Sequence, residues 1–302
     1  MLYDITVPVA EEVVLLGAPI VYAQPPFWCH SGYRQLRISL LRQRSHFSFD
    51  PPVEKQPVIV FLCGGGWTAD DPGVWMPELT YFAKRGYAVA GVEYSASIQV
   101  RFPGQLAEIR QALRFLRAHA DELRLDMDRV AVMGESAGGH LAALTALCKE
   151  EEPFDTGEYD AFSSAVRCAV VYYAPVDLLD REGRGDPASY KDKPSFAMRG
   201  NFSTQELLLW QKNLWENPAR AAEGDPRSYI RPDAPPFMLL YGTEDFHVHI
   251  HNGDVLYKAL TEVGVSTEYW RIAGARHGEA SFFQPEMKER VLAFLNANLN
   301  RN

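Results

Sequence analysis

The chain has 302 residues, of which 47% are hydrophobic and 23% charged, and its formal net charge is -9. This composition is that of a globular protein with an ample core, and the length fits one large α/β domain or two small ones. Because the acidic chain contains no basic cluster, we do not expect nucleic acid or an anionic membrane as a partner. No secretory signal or membrane-spanning stretch is visible, which favours a cytoplasmic protein.

The four cysteines have no spacing typical of a metal or redox motif. They are Cys29, Cys63, Cys148 and Cys168, and the last three stand in apolar surroundings. We therefore expect free, buried thiols.

The predicted elements begin with an irregular arm, residues 1–33, that we expect to pack on the body of the protein. Residues 36–41 then alternate apolar and polar side chains, as a half-buried antiparallel strand does. From there on, short apolar strands alternate with helices; strands are predicted at 58–62, 87–92, 130–133, 166–173, 236–241 and 267–272, and helices at 77–85, 105–123 and 140–147. This alternation predicts an α/β fold with a mostly parallel sheet.

One long segment, residues 178–235 approximately, interrupts the alternation. It is rich in glycine, proline, charges and aromatic residues, and only residues 204–213 are predicted to be helical. An insertion of this length in a compact domain is usually a lid or binding element, so we interpret it as a cap that shapes the substrate site. Decoration without a function is the alternative.

A G-x-S-x-G motif, Gly134-Glu135-Ser136-Ala137-Gly138, follows an apolar strand and precedes a helix. In this context the motif predicts a nucleophile elbow, a sharp turn that exposes the Ser136 hydroxyl at the top of a sheet. Side chains at the two flanking positions would collide with the neighbouring strand and helix, which explains the glycines.

A serine nucleophile needs a base to take its proton, and that base needs an orienting acid. His277 follows the last predicted strand, so we expect it at the carboxyl edge of the sheet, on the side of the elbow. Asp245 follows the preceding strand and is the favoured acid, with Glu244 and Asp177 as alternatives.

Three other histidines, His247, His249 and His251, alternate along the chain and raise the alternative of a metal site. No further histidine or acidic cluster supports it, so we interpret the segment as a solvated loop and expect neither metal nor cofactor.

A glycine run, Gly64-Gly65-Gly66-Trp67, follows the first buried strand. Glycines let backbone N–H groups approach a substrate carbonyl closely, and the Ala137 N–H at a helix N-terminus would add a further donor. The alternative, a phosphate cradle, lacks the G-K-[ST] ending and the G-x-G-x-x-G spacing. We therefore predict an oxyanion hole.

Together, segments 58–67, 134–140, 234–245 and 274–278 resemble the α/β-hydrolase superfamily, specifically its lipase/esterase group with hormone-sensitive-lipase-like and BD-FAE-like carbohydrate or carboxyl esterases. The resemblance implies a single α/β-hydrolase domain, residues 1–302, with a mostly parallel eight-stranded sheet, helices on both faces and the inserted cap. It also implies roles for named residues: Ser136 as nucleophile, Asp245 as acid, His277 as base, and Gly65, Gly66 and Ala137 as oxyanion-hole donors. Cys63 stands where the family usually has a histidine, and a thiol is a weak hydrogen-bonding group, so we expect this loop to be braced differently here.

This resemblance implies a serine esterase for small acyl esters, with acetyl groups on sugars or xylo-oligosaccharides as the suggested substrates. An arylformamidase-like amidase is the runner-up, and a non-catalytic ligand-binding protein on the same fold is a third reading. We expect Trp67 and Glu135 to bind the small-molecule ester substrate. The sequence leaves open whether the chain forms a homo-oligomer.

Overall fold

The computed structural model describes residues 1–27, 32–47, 54–150, 154–179, 198–199 and 202–299. The strands in these ranges are Val14–Leu16 (β1), Ile20–Ala23 (β2), Pro26–Phe27 (β3), Gly32–Tyr33 (β4), Leu36–Gln43 (β5), Gln56–Leu62 (β6), Ala88–Val92 (β7), Leu125–Glu135 (β8), Cys168–Tyr172 (β9), Met198–Arg199 (β10), Phe202–Ser203 (β11), Phe237–Gly242 (β12) and Thr267–Ile272 (β13). The helices are Met76–Ala83 (α1), Gly104–Ala118 (α2), Ala137–Leu147 (α3), Thr204–Leu209 (α4), Pro218–Glu223 (α5), His251–Glu262 (α6) and Pro285–Leu299 (α7).

The main sheet is parallel at its centre and antiparallel at one side. Its strand order is β1-β5-β7-β6-β8-β9-β12-β13, with every pairing from β7 to β13 parallel and β5 antiparallel to both of its neighbours in this order. The α/β fold and the mostly parallel sheet are confirmed. The sheet has nine strands rather than the predicted eight, because β2 also pairs with β5 beside the eight strands of this path.

The core lies on both faces of the central strands. Val58, Ile59 and Val60 of β6 are all fully buried. Because successive strand residues point to opposite faces, this burial means that both faces of the sheet are covered. α3 packs on β8 and β9, which fixes the start of that helix beside the carboxyl ends of the central strands.

The predicted arm differs from the structure in two respects. Residues 1–13 are exposed rather than packed on the body, and the arm is not irregular throughout, because β1 and β2 join the main sheet beside β5. The sequence did not reveal these short strands because their apolar residues show no clear alternation. Cys29 lies outside the described residues, whereas Cys63, Cys148 and Cys168 are buried, as expected.

Helix α2 is buried on its polar side as well as its apolar side. Its apolar residues Ile109, Leu113 and Leu116 are fully buried, and Arg110 and Arg114 are also almost fully buried. Both guanidinium groups lie near the carboxylate of Asp155, in the loop that covers this side of the helix. Ion pairing therefore lets the helix bury charged side chains.

The predicted cap is only partly within the described residues, which omit 180–197 and 200–201. The helix predicted at 204–213 ends earlier, at Leu209, because the next residue, Trp210, adopts a left-handed conformation. The described part is fastened to the body: Phe102 N donates to Leu208 O at 2.9 Å, and the Arg220 guanidinium donates to Phe102 O at 3.2 Å. Within the described ranges, no helix has the length and apolar character that crossing a membrane requires.

Candidate active site

The elbow joins β8 to α3 at Ser136. This residue has φ 52° and ψ -123°, a backbone conformation that residues other than glycine rarely adopt. A Cβ at Gly134 would lie 2.6 Å from the carbonyl carbon of Gly138, and one at Gly138 would lie 2.6 Å from the carbonyl oxygen of Cys63. The two glycines therefore allow a sharp turn that leaves Ser136 partly exposed.

Three predicted side chains meet in one hydrogen-bonded chain at the carboxyl ends of β8, β12 and β13. Ser136 Oγ lies 2.9 Å from His277 Nε2, and His277 Nδ1 lies 2.7 Å from Asp245 Oδ2. The second Asp245 oxygen accepts the backbone N–H groups of His247 and Val248 at 2.8 and 2.9 Å. Since a carboxylate can only accept hydrogen bonds, the proton of the neutral imidazole lies on Nδ1, and Nε2 is left to accept the Ser136 proton.

Of the three candidate acids, the structure pairs Asp245 with His277. The Asp177 carboxylate instead lies 3.1 Å from the Arg227 guanidinium. Glu244 is exposed, and its backbone N–H donates to the carbonyl of Ala275. Asp177 follows β9 and Glu244 follows β12, so both come after parallel strands. The Asp177 side chain, however, pairs with Arg227, and the Glu244 side chain faces solvent.

Aromatic packing supports the imidazole from behind. The ring of Tyr173 lies 4.7 Å from that of His277 at an interplanar angle of 63°, and Phe282 lies 4.6 Å from Tyr173. Tyr173 and Phe282 are both fully buried, whereas the His277 side chain is 20% exposed. Buried aromatic side chains thus pack against one side of the imidazole, and its Nε2 edge faces the nucleophile.

The three alternating histidines do not form a ligand set. His247 lies beside His277, with ring centroids 5.6 Å apart, while His251 begins α6. In the part of the chain that the structure describes, no three His, Cys, Asp or Glu side chains are grouped to hold a metal ion.

The glycine loop lies beside the elbow because β6 and β8 are paired in register. Leu62, the last residue of β6, stands opposite Gly134. Gly65 and Gly66 follow with φ values of 130° and 60°, which favour glycine. Ala137 begins α3, so its N–H has no acceptor within the helix. The three predicted oxyanion-hole donors therefore lie in two segments that flank the nucleophile.

Glu135 corrects one sequence prediction. Its side chain is not presented to a substrate but lies under the glycine loop, with the residue only 7% exposed. Oε1 accepts the Gly64 N–H and the Trp75 Nε1–H, the latter at 3.1 Å, and Cys63 Sγ lies 3.8 Å away. Burial raises the pKa of the Glu135 carboxyl, and the Gly64 N–H opposes that shift.

Trp67 corrects the second prediction of substrate contact. Its side chain is 1% exposed and therefore offers no surface to a ligand. Its Nε1–H donates to His140 Nδ1 at 3.2 Å, and His140 Nε2–H donates to the Gly224 carbonyl at 2.6 Å. Trp67 thus fastens the end of the glycine loop to α3 and, through His140, to the end of α5.

Sequence reasoning missed these roles although a signal was present. Glu135 ends an apolar strand and His140 lies in an otherwise apolar helix. A polar side chain in such a run must find hydrogen-bond partners when it is buried. The pattern indicates that partners exist, but only the folded chain shows which ones.

We expect His140 to make the protein sensitive to acid. Burial lowers the pKa of its imidazole from 6.5 to about 4, so the unfolded chain binds more protons between these values. The free energy of unfolding should therefore fall as the pH drops from 6.5 toward 4, by about 3 kcal/mol from this group. Urea unfolding of the wild type and of His140→Gln at pH 7.5 and 4.5 measures it: the variant should be less stable at pH 7.5 and lose less on acidification. Equal losses in both proteins would contradict this assignment.

Cys63 is expected to be unreactive in the folded protein. The residue is 5% exposed, and burial together with the Glu135 charge raises the pKa of its thiol. Because the thiolate is the reactive form, iodoacetamide at pH 8 should label Cys63 only after unfolding. Mass spectrometry of the native and urea-treated protein measures this, and rapid native labelling would show that the loop opens.

Comparison with known proteins identifies the family. A model of the BD-FAE family matches residues 49–260. The chain belongs to the BD-FAE family. The resemblance to α/β-hydrolase esterases and the α/β-hydrolase fold are thereby confirmed, and the matched range runs from β6 through the elbow and Asp245 into α6.

Two relatives of this BD-FAE chain extend the comparison. Esterase LipQ of Mycobacterium tuberculosis is 27% identical over 229 residues, which is 75% of this chain and 51% of LipQ. An acetyl esterase of Salmonella schwarzengrund is 30% identical over 100 residues, which is 33% of this chain and 31% of that protein. The chain spans about half the length of LipQ.

A solved structure matches nearly the whole BD-FAE chain. Esterase 2 of Thermogutta terrifontis, in a form phosphonylated by sarin, is 25% identical with a TM-score of 0.71, over 94% of this chain and 96% of that one. The structural similarity therefore extends beyond the range that the family model matches.

Proposed function

We propose that this chain is a serine hydrolase that cleaves small carboxylic esters through an acyl-enzyme on Ser136. The observation that carries the proposal is the continuous hydrogen-bonded chain from Asp245 through His277 to Ser136 at a strained elbow. The family relationship and the similarity to LipQ support the same reaction class.

In this mechanism, Ser136 Oγ attacks the acyl carbon while its proton passes to His277 Nε2. The carbonyl oxygen becomes an oxyanion, which the N–H groups of Gly65, Gly66 and Ala137 would stabilise. His277 then gives the proton to the leaving alcohol. Water attacks the acyl-enzyme by the same route in reverse, which releases the acid and restores Ser136.

Buried Asp245 has two functions in this cycle. Its hydrogen bond to Nδ1 fixes the tautomer in which Nε2 can accept a proton, and its charge stabilises the imidazolium that follows. The backbone N–H groups of His247 and Val248 hold the carboxylate so that it does not rotate away from the imidazole.

For the acyl group, we propose acetyl, and for the alcohol a sugar or xylo-oligosaccharide. The support is the membership in the BD-FAE family and the similarity to an acetyl esterase over a third of the chain. An esterase for short acyl chains should lose activity steeply as the acyl chain grows.

The test compares p-nitrophenyl acetate, butyrate and octanoate with acetylated xylo-oligosaccharides and N-formylkynurenine. Acetate turnover that falls with chain length, together with acetate release from the sugar, would support the full proposal. Turnover of the formamide alone would replace it with an amidase. Ser136→Ala serves as the blank, and no Ser136-dependent turnover of any substrate would favour a ligand-binding protein.

A further inference from the structure

The Glu135 carboxylate connects the nucleophile elbow to the glycine loop. We propose that Glu135 is a positioning residue that holds the loop carrying Gly65 and Gly66 in the geometry required for transition-state stabilisation. This inference rests on the proposed function. It assigns to the residue before the nucleophile a part in the reaction that requires no contact with substrate.

The carboxylate gathers donors from three points around the loop. The Gly64 N–H and the Trp75 Nε1–H both donate to Oε1, and the Cys63 thiol faces the same oxygen. The Gly64 N–H belongs to the peptide between Cys63 and Gly64, so its hydrogen bond fixes the orientation of the peptide that immediately precedes the proposed donors. Trp75 stacks on Phe283 with centroids 4.4 Å apart, so it is itself anchored.

Close packing makes the loop and the carboxylate one unit. A Cβ at Gly64 would lie within 2.8 Å of three atoms, all of them in the Glu135 carboxyl group. The β6–β8 register brings the two residues together, because Leu62 pairs with Gly134. At Gly64, the absence of a side chain leaves room for this carboxylate. At Gly65 and Gly66, the reason for glycine is instead the left-handed backbone conformation.

A carboxylate suits this position for a chemical reason. It is an acceptor only, and hydrogen bonds to an ionised group are shorter and stronger than those between neutral groups. The Cys63 side chain is a weak donor and cannot brace the loop alone. The buried carboxylate therefore supplies the brace that the sequence left unassigned.

The expected consequence is on turnover rather than on substrate binding. Oxyanion donors act when negative charge develops, so a displaced loop lowers transition-state affinity more than ground-state affinity. Losing Glu135 should therefore lower kcat and leave KM nearly unchanged.

The experiment compares Glu135→Ala with Glu135→Gln and with Glu108→Ala. Glu108 is a matched control, because it is equally buried, at 7% exposed, and hydrogen-bonded to Ser95. On p-nitrophenyl acetate we expect Glu135→Ala to lower kcat by about 100-fold with KM within about threefold. Glu135→Gln keeps an acceptor oxygen and should recover about tenfold of that loss. Glu108→Ala should keep the wild-type kcat even if its Tm falls.

A second pair of variants tests the contact itself. Gly64→Ala should lower kcat because its methyl group displaces the carboxylate. In the Glu135→Ala background the same change should cost little, so the two effects would be strongly non-additive. Independent effects of the two substitutions would overturn the proposal.

The outcomes separate this inference from the proposed function. Wild-type kcat in both Glu135→Ala and Glu135→Gln would overturn the positioning role while the esterase proposal stands. If Glu135→Ala fails to fold, Glu135→Gln decides: a loss of kcat at constant KM supports the role, and unchanged kcat overturns it. A wild-type enzyme without Ser136-dependent turnover would instead remove the proposed function.

Discussion

Replacing Ser136 with alanine should reduce kcat on p-nitrophenyl acetate by about a million-fold. The remaining rate would be the one that the rest of the active site supports without a nucleophile. The reason is that Ser136 Oγ is the atom within 2.9 Å of His277 Nε2, so its removal leaves the base without a proton to take. Initial rates at saturating substrate, with active-site titration of the wild type, measure the loss. A variant that keeps one-tenth of the activity would rule out Ser136 as the nucleophile.

The same position offers a stability control. Ser136 has φ 52°, a conformation that glycine adopts without a steric penalty and alanine does not. The free energy of unfolding should therefore be about 1 kcal/mol higher for Ser136→Gly than for Ser136→Ala, although both variants are inactive. Urea unfolding of the two variants checks this, and a more stable alanine variant would contradict the strain.

Replacing Asp245 with asparagine should lower kcat by about 10⁴-fold while the fold survives. An amide N–H₂ group facing His277 Nδ1 would favour the tautomer with the proton on Nε2, which cannot accept a proton from Ser136. The lost negative charge would also leave the imidazolium without its stabilising partner. The measurement is kcat at a pH where the wild-type rate is constant.

The two acids that the sequence could not exclude provide the controls. Asp177→Asn removes a charge paired with Arg227, and Glu244→Gln changes an exposed side chain. Both variants should keep kcat within about threefold of the wild type, since neither side chain contacts His277. A large loss in Asp177→Asn, with activity retained in Asp245→Asn, would reassign the acid.

Much of the fold followed from local patterns. The continuous apolar runs predicted the buried strands, and β13 has the predicted bounds, residues 267–272. Such runs are informative because a strand covered on both faces needs an apolar residue at every position. The exposed residues 1–13 and the strands β1 and β2 were not predicted, because short edge strands have no comparable signal.

The polar interior shows where local patterns fail. Arg110 and Arg114 lie in the predicted helix 105–123, and nothing in that local pattern indicates that both are buried against a loop about 40 residues later in the chain. Likewise, Trp67 and Glu135 read as ligand contacts because they flank the predicted site. Their partners are distant in sequence and depend on strand register, which local composition does not encode.

By itself, the sequence determined the strand–turn–helix context of Ser136, the glycines that make the turn, and the placement of His277 and the candidate acids after parallel strands. These follow from local sterics and from the rule that carboxyl ends of parallel strands share one edge. Only the tertiary structure decided which acid meets His277 and what braces the glycine loop. Both depend on strand order and register, which place residues a hundred or more positions apart, such as Ser136 and His277, within a hydrogen bond of each other.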